Sequence, residues 1–131
     1  MLRHGVQCRI IDKLEVPSDK SKALAIHART LEIMENMKVV DKMLDNGNQA
    51  HGFSLYNGGT RILQVSASEL ESPYPCILMI PQPSTEAVLL EHFQSFGGKV
   101  ERGGELVAFT QHDTSVTATL KHPDGKEEVL T

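Results

Sequence analysis

Apolar residues occur along the chain in short runs that predict strands, interrupted by two segments with the period of an amphipathic helix. Residues 6–11 form the first run, which follows a glycine stop at Gly5 and predicts a strand. Residues 14–25 are polar, irregular and contain Pro17, so they predict a loop. Strands that alternate with helices in this way are typical of the α/β class.

Two segments have helical spacing. Residues 28–47 place apolar side chains on one face and end at Asn46 and Gly47. The predicted buried positions of this helix are Ile33, Met37, Val40 and Leu44. The second helix begins in the stretch PQPSTE and ends at Gly97 and Gly98. Its predicted inward positions are Leu89, Phe93 and Phe96.

The remaining apolar runs predict strands and tight turns. Two strand-like runs in residues 51–67 flank Asn57, Gly58 and Gly59, which is a strong hairpin signal, and this hairpin should belong to a sheet other than the first. The run CILMI, residues 76–80, predicts a buried strand directly before the second helix. Alternation in residues 116–120 and the turn residues at 123–125 predict a strand followed by a hairpin.

Composition narrows the classes of function. The chain has 131 residues, 40% of them hydrophobic, and a formal net charge of -4 with neither sign gathered into a block. A nucleic-acid partner is therefore not expected. No apolar run is long enough to cross a bilayer and no leader-like segment opens the chain, so we expect no membrane association and a cytoplasmic location. Two cysteines form no disulfide framework.

Familiar catalytic and metal-binding motifs are missing from the sequence. The six histidines form no H-x-x-x-H pair and the two cysteines no C-x-x-C pair, so no metal is expected. There is also no G-x-S-x-G nucleophile elbow and no Walker-type loop.

Polar residues at the ends of predicted elements are the remaining candidates. Asp12 and Lys13 end the first strand, Lys22 and His27 precede the first helix, and Gln82 opens the second. Ligands of α/β sheets collect at such places, because free helical N–H groups and loop side chains converge there. Each residue also has a plain alternative: a solvated strand end, a solvated cation, a hydrogen-bonded core histidine or a simple helix start.

Four stretches taken together resemble one family. The stretches are RHGVQCRIIDK, SKALAIHARTLEIME, PYPCILMIPQPSTEAVLLEHF and GGKVERGGELVAF followed by VTATLKHPDGKEE. They resemble the FAD-binding domain of class A flavoprotein aromatic hydroxylases, the group of phenol hydroxylase, p-hydroxybenzoate hydroxylase and polyketide hydroxylases. The resemblance implies an α/β fold: a partial Rossmann-like, glutathione-reductase-like FAD-binding domain over residues 1–131. It also implies that the hairpin, residues 51–66, begins a substrate-binding sheet.

The resemblance implies a role for five residues and a catalytic role for none. Asp12 would hold the adenosine ribose, and Lys13 would lie near the adenine or a phosphate. Lys22 stands where the family usually has an arginine, and it keeps the charge without the planar fork. Gln82 would touch the phosphate or ribityl part of FAD, and the Leu106 backbone would read the adenine edge.

The sequence also departs from the family pattern. It starts after the G-x-G-x-x-G turn and stops before the family's D-G and G-D motifs, so we expect an interior piece of an FAD- and NAD(P)H-dependent monooxygenase that hydroxylates an aromatic small molecule. We expect the isolated chain to be inactive, to bind FAD poorly and to associate with itself.

Two other interpretations remain open. The first is a non-catalytic fragment or an interaction module that another chain completes. A fragment of a nicotinamide dehydrogenase would also place an acid after a strand, but the Gln82 helix start and the stretch IHARTLEI argue against it.

Overall fold

A computed structural model describes residues Met1–Thr131 and contains a short 3-10 turn, ten strands and three α-helices. The strands are β1 (Ile10–Asp12), β2 (Ala25–His27), β3 (Asn48–Ala50), β4 (Gly52–Asn57), β5 (Thr60–Ser66), β6 (Ile77–Met79), β7 (Val100–Arg102), β8 (Glu105–Gln111), β9 (Val116–Lys121) and β10 (Glu127–Leu130). The helices are α1 (Ala28–Asn36), α2 (Val40–Asp45) and α3 (Gln82–Ser95). None of these helices combines the length and the apolar character that crossing a bilayer requires.

The chain forms two compact units. Unit 1 contains Met1–Ser18 and Phe93–Thr131, and unit 2 contains Asp19–His92. The mixture of parallel and antiparallel strands with helices agrees with the predicted α/β class.

Unit 1 contains a parallel pair of strands and an antiparallel sheet. β1 pairs with β7 in parallel, so that Asp12 lies opposite Arg102. β8, β9 and β10 form a three-stranded sheet with β9 in the centre, which confirms the strand and hairpin predicted near the carboxyl end. The first strand starts at Ile10 and not at residue 6 as predicted, because its partner β7 is only three residues long.

Unit 2 is built around β6. β2 and β3 pair with its two sides in antiparallel fashion, which confirms a buried strand in residues 76–80. The sequence reading did not anticipate β2. The buried residues of the core are Leu31, Val39, Val40, Met43, Cys76, Leu78, Ile80 and Val88.

The long helix predicted for residues 28–47 is in fact two helices, α1 and α2. Lys38 between them has a positive φ of 60°, which an uninterrupted α-helix cannot contain. The break changes the helical phase, so Leu31 and Met43 are fully buried whereas Ile33 is 48% exposed. The prediction that Ile33 faces the core was therefore wrong.

Helix α3 and its glycine stop are confirmed, with Gly97 at a φ of 77°. Val88 is its buried residue, and Leu89 packs partly against the core as predicted. Phe96 lies beyond the last helical residue, so it does not keep the helical phase and is 46% exposed. The inward prediction for Phe96 was wrong.

The predicted hairpin of β4 and β5 is confirmed, and these strands pair only with each other. Gly58 and Gly59 form its turn with φ values of 54° and 83°, which suit the two-residue turn that joins twisted antiparallel strands. Every residue from 51 to 66 is exposed. The register places large apolar side chains on one face of the hairpin: Phe53, Leu55, Leu63 and Val65.

Candidate cofactor-binding site

In unit 1, Asp12 lies at the carboxyl end of the parallel β1–β7 pair. Its Oδ1 accepts a hydrogen bond from the Leu14 amide at 3.0 Å. Its Oδ2 accepts one from Nη1 of Arg102 at 2.5 Å. The carboxyl edge of parallel strands is the usual ligand-binding edge of an α/β sheet, so this carboxylate occupies the place expected of a ligand contact.

A second turn, directly after β7, faces the first. Gly103 has a φ of 75°, which lets the chain reverse there, and its amide donates to the Leu14 carbonyl at 3.3 Å. Lys13 Nζ lies 3.6 Å from Oε1 of Glu105. We call the two segments, residues 12–14 and 102–105, the Asp12 turn pair. Its contacts hold the Asp12 carboxylate in a defined position.

The Asp12 carboxylate is partly exposed and has unused hydrogen-bond acceptor sites. The Asp12 side chain is 37% exposed and that of Arg102 is 26% exposed. A carboxylate has about four lone-pair sites, and the two contacts described occupy one on each oxygen. One acceptor site on each oxygen therefore remains for hydroxyl donors.

Leu106 follows this region as the second residue of β8. Because β8 is an edge strand, the backbone groups that face away from β9 have no strand partner. A bulge at residue 107 changes the pairing register next to Leu106. The structure thus brings Asp12, Lys13 and the start of β8 into one region of unit 1.

In unit 2, Gln82 joins a loop to the start of α3. Its Oε1 accepts a hydrogen bond from the Lys22 amide at 3.2 Å. Its own amide donates to Oγ of Ser21 at 3.3 Å, and its Nε2 donates to Glu86 at 2.7 Å. The structure therefore brings Lys22 and Gln82 together, as parts of one hydrogen-bonded loop.

Each backbone N–H in the first turn of α3 already has a hydrogen-bond acceptor within the protein. Gln82 donates its N–H to Ser21, Pro83 has none, and the amides of Ser84 and Thr85 both donate to the Pro81 carbonyl at 3.0 and 3.1 Å. Free N–H groups therefore do not support a ligand site at this helix start, and the contact of Gln82 with a ligand stays a prediction. The available cation is the ammonium group of Lys22, which forms no ion pair.

Two features of the site were not predicted from the sequence. Arg102 is distant from Asp12 in sequence and is brought to it only by strand pairing. Ser21 has the sequence context of an ordinary loop residue, but its hydroxyl accepts a hydrogen bond from the first amide of α3. The interpretation of His27 as a buried core histidine was wrong, because the structure shows this residue exposed at the start of α1.

A charged cluster elsewhere in unit 1 has a structural role. Arg9 binds Glu101 at 2.6 Å and Glu128 at 2.9 Å. Hydrogen bonds from Arg9 hold the pKa of both carboxyl groups below their ordinary range. This cluster links β10 to the parallel pair and does not touch Asp12 in any contact of the structure.

The comparisons with known proteins agree on one family. An uncharacterized aromatic compound monooxygenase of Bacillus subtilis is 35% identical over 97% of this chain, and pentachlorophenol 4-monooxygenase of Sphingobium chlorophenolicum is 31% identical over 99%. The chain spans about a quarter of the length of these relatives. The crystal structure of aklavinone-11 hydroxylase with FAD and aklavinone has a TM-score of 0.81 and 26% identity, with 98% of this chain and 27% of that one covered.

The family model described as the FAD binding domain matches residues 1–131, which is the whole sequence. The chain therefore belongs to the FAD binding domain family found in flavin-dependent aromatic monooxygenases.

Proposed function

We propose that this chain is the FAD-binding portion of an NAD(P)H-dependent monooxygenase that hydroxylates an aromatic small molecule. The names of the relatives support the reaction class, and the aklavinone-11 hydroxylase structure supports the cofactor. The observation in this chain that carries the proposal is the position of Asp12, a held but accessible carboxylate at the carboxyl edge of parallel strands. Its two spare acceptor sites suit the two hydroxyls of a ribose.

The other candidate residues fit FAD in different ways. Lys13 and the backbone of Leu106 lie in the same region as Asp12 and would contact the adenosine end. Lys22 offers an unpaired ammonium group to a phosphate, and Gln82 fixes the loop that carries it. Gln82 keeps one donor and one acceptor site for a contact of its own.

FAD supplies the electron transfer and the oxygen chemistry when it is bound. The residues of this chain bind and orient it, and we assign none of them a proton transfer. We expect the exposed hairpin of residues 51–66 to begin the substrate-binding sheet, and its uncovered apolar face is consistent with further polypeptide packing there. The two free cysteines suit the reducing conditions of the cytoplasm.

Titration of FAD into the purified chain, followed by NMR chemical shifts, tests the assignment. We expect a dissociation constant weaker than about a micromolar, or roughly -8 kcal/mol, with shifts at Asp12, Leu106 and Lys22. Lys22→Met should weaken binding roughly threefold to tenfold, since a charge-assisted phosphate contact is lost. Lys22→Arg should bind at least as well as the wild type.

Lys20→Met is the matched control, because it removes a cation two positions away in the same loop. Equal losses in Lys20→Met and Lys22→Met would contradict the role of Lys22. Submicromolar binding would contradict the expected weakness of the isolated chain. If FAD shifts no amide in either unit, the cofactor assignment is wrong.

A module completed by another chain is the second candidate, and the fully exposed hairpin favours it. Purification of the protein from its own cells separates the two candidates. Consumption of NADH or NADPH that depends on a phenolic compound supports the monooxygenase. Co-purification with a chain that carries a glycine-rich FAD strand supports the module.

A further inference from the structure

We propose that Arg102 is a positioning residue that makes Asp12 selective for a vicinal diol. The inference rests on the proposed binding of the FAD adenosine near Asp12. Strand pairing sets Arg102 opposite Asp12, and the Arg102 guanidinium donates to Oδ2 of that carboxylate.

The two contacts to Asp12 fix the direction of its free acceptor sites. The Leu14 amide occupies one side of Oδ1, and Arg102 occupies one side of Oδ2. A carboxylate bound at a single oxygen could rotate about its side-chain torsions, whereas one bound at both oxygens presents its two remaining lone pairs together. Two neighbouring hydroxyls of a ribose are the donors that match such a pair.

Arg102 also offsets the charge of Asp12 where a nucleotide would bring further negative charge. The Arg102 side chain is 26% exposed, so the ion pair is less screened by water than one on an open surface. Gly103, at a φ of 75°, turns the chain directly after Arg102 and bonds to Leu14. The position of Arg102 therefore follows from the backbone of both turns.

The test compares adenosine 5′-monophosphate with its 2′-deoxy form on the complete 131-residue chain, by NMR titration into the millimolar range. We expect the wild type to prefer the ribonucleotide roughly tenfold, because the deoxy form loses a hydrogen bond to a charged acceptor. In Arg102→Met the two affinities should converge. Arg102→Lys, which keeps a cation near Asp12, should retain an intermediate preference.

Arg9→Met is the matched control, since Arg9 binds two carboxylates in the same unit without touching Asp12. It should leave the preference for the ribonucleotide unchanged. A preference that survives in Arg102→Met overturns the role of Arg102, and so does a loss of equal size in Arg9→Met.

A second readout needs no nucleotide. Three-bond couplings at the Asp12 Cβ should show a single side-chain rotamer in the wild type and averaging in Arg102→Met. An unchanged rotamer in that variant overturns the positioning role even if the nucleotide binds. If the monophosphate shifts no amide of the wild type, the proposed adenosine site is overturned instead, whatever the rotamer shows.

Discussion

The core of unit 2 and the hairpin of β4 and β5 both contain large apolar side chains, but only those of the core are buried. Leu78 in β6 is fully buried, and Leu63 in β5 is 48% exposed. Only His51 separates β4, the first strand of the hairpin, from β3, a strand of the core sheet. Three helices and two strands contribute to the core around β6, whereas the hairpin strands pair only with each other. Apolar side chains thus form a surface in both regions, and this surface is buried only where neighbouring helices and strands pack against it.

The two regions are also stabilised by different kinds of contact. A glycine turn and a ladder of backbone hydrogen bonds define the hairpin, and both are local in sequence. The core depends on side chains that meet from α1, α2, β6 and α3. A two-stranded hairpin is marginally stable by itself, so the exposed apolar face marks where further polypeptide is needed.

The largest expected difference between the regions comes from removing a leucine side chain. Leu78→Ala should lower the free energy of unfolding by about 2–5 kcal/mol, because it opens a cavity in the packed core. Leu63→Ala should change it by less than about 0.5 kcal/mol. Urea unfolding followed by circular dichroism measures both. Equal losses would mean that the hairpin face is buried in solution.

Glycine substitutions should give a smaller difference. A Cβ added at Gly47 would lie 2.6 Å from Cδ1 of Leu78, so Gly47→Ala should cost about 1–3 kcal/mol through overpacking. Gly59 has open space around it but a φ of 83°, so Gly59→Ala should cost roughly 1 kcal/mol through backbone strain.

A double-mutant cycle separates these two causes. In a Leu78→Ala background the penalty of Gly47→Ala should shrink, because the two closest clashing atoms belong to Leu78, whereas that of Gly59→Ala should not change. The free energy of unfolding of all variants provides the measurement. Identical behaviour of the two glycines would remove packing as the distinction between the regions.

The smallest effect concerns pH. The pKa values of Glu101 and Glu128 are lowered from their ordinary value of 4.5, mainly by hydrogen bonds from Arg9. A lowered folded-state pKa adds stability that is fully present above pH 4.5 and is lost as the pH falls through the folded-state pKa. Arg9→Met should therefore lower the melting temperature at pH 7, and its difference from the wild type should shrink below pH 4.5.

Arg61 of the hairpin forms no ion pair and supplies the control. Arg61→Met should change the melting temperature little and by the same amount at every pH. A difference between Arg9→Met and the wild type that stays constant down to pH 3 would contradict the sign of the pKa shifts.

Elements with a strong local signal were predictable from the sequence. The hairpin follows from Asn57, Gly58 and Gly59, and α3 follows from a proline start and a glycine stop. The break at Lys38 was not predictable, because lysine has no preference for a positive φ and the helical spacing of apolar residues continues across it. Because of this break, the prediction of which side of the helix is buried was wrong at Ile33.

The candidate site likewise has features that the sequence predicts and features that it does not. The apolar strand that ends at Asp12, the helix that starts at Gln82 and, through resemblance, the family were all predictable from the residues alone. The contact of Arg102 with Asp12, the bonding of the first α3 amides to Ser21 and Pro81, and the exposure of the hairpin could be known only from the folded chain. Turn and capping signals act between residues close in the chain, whereas strand pairing joins residues whose separation no local pattern encodes.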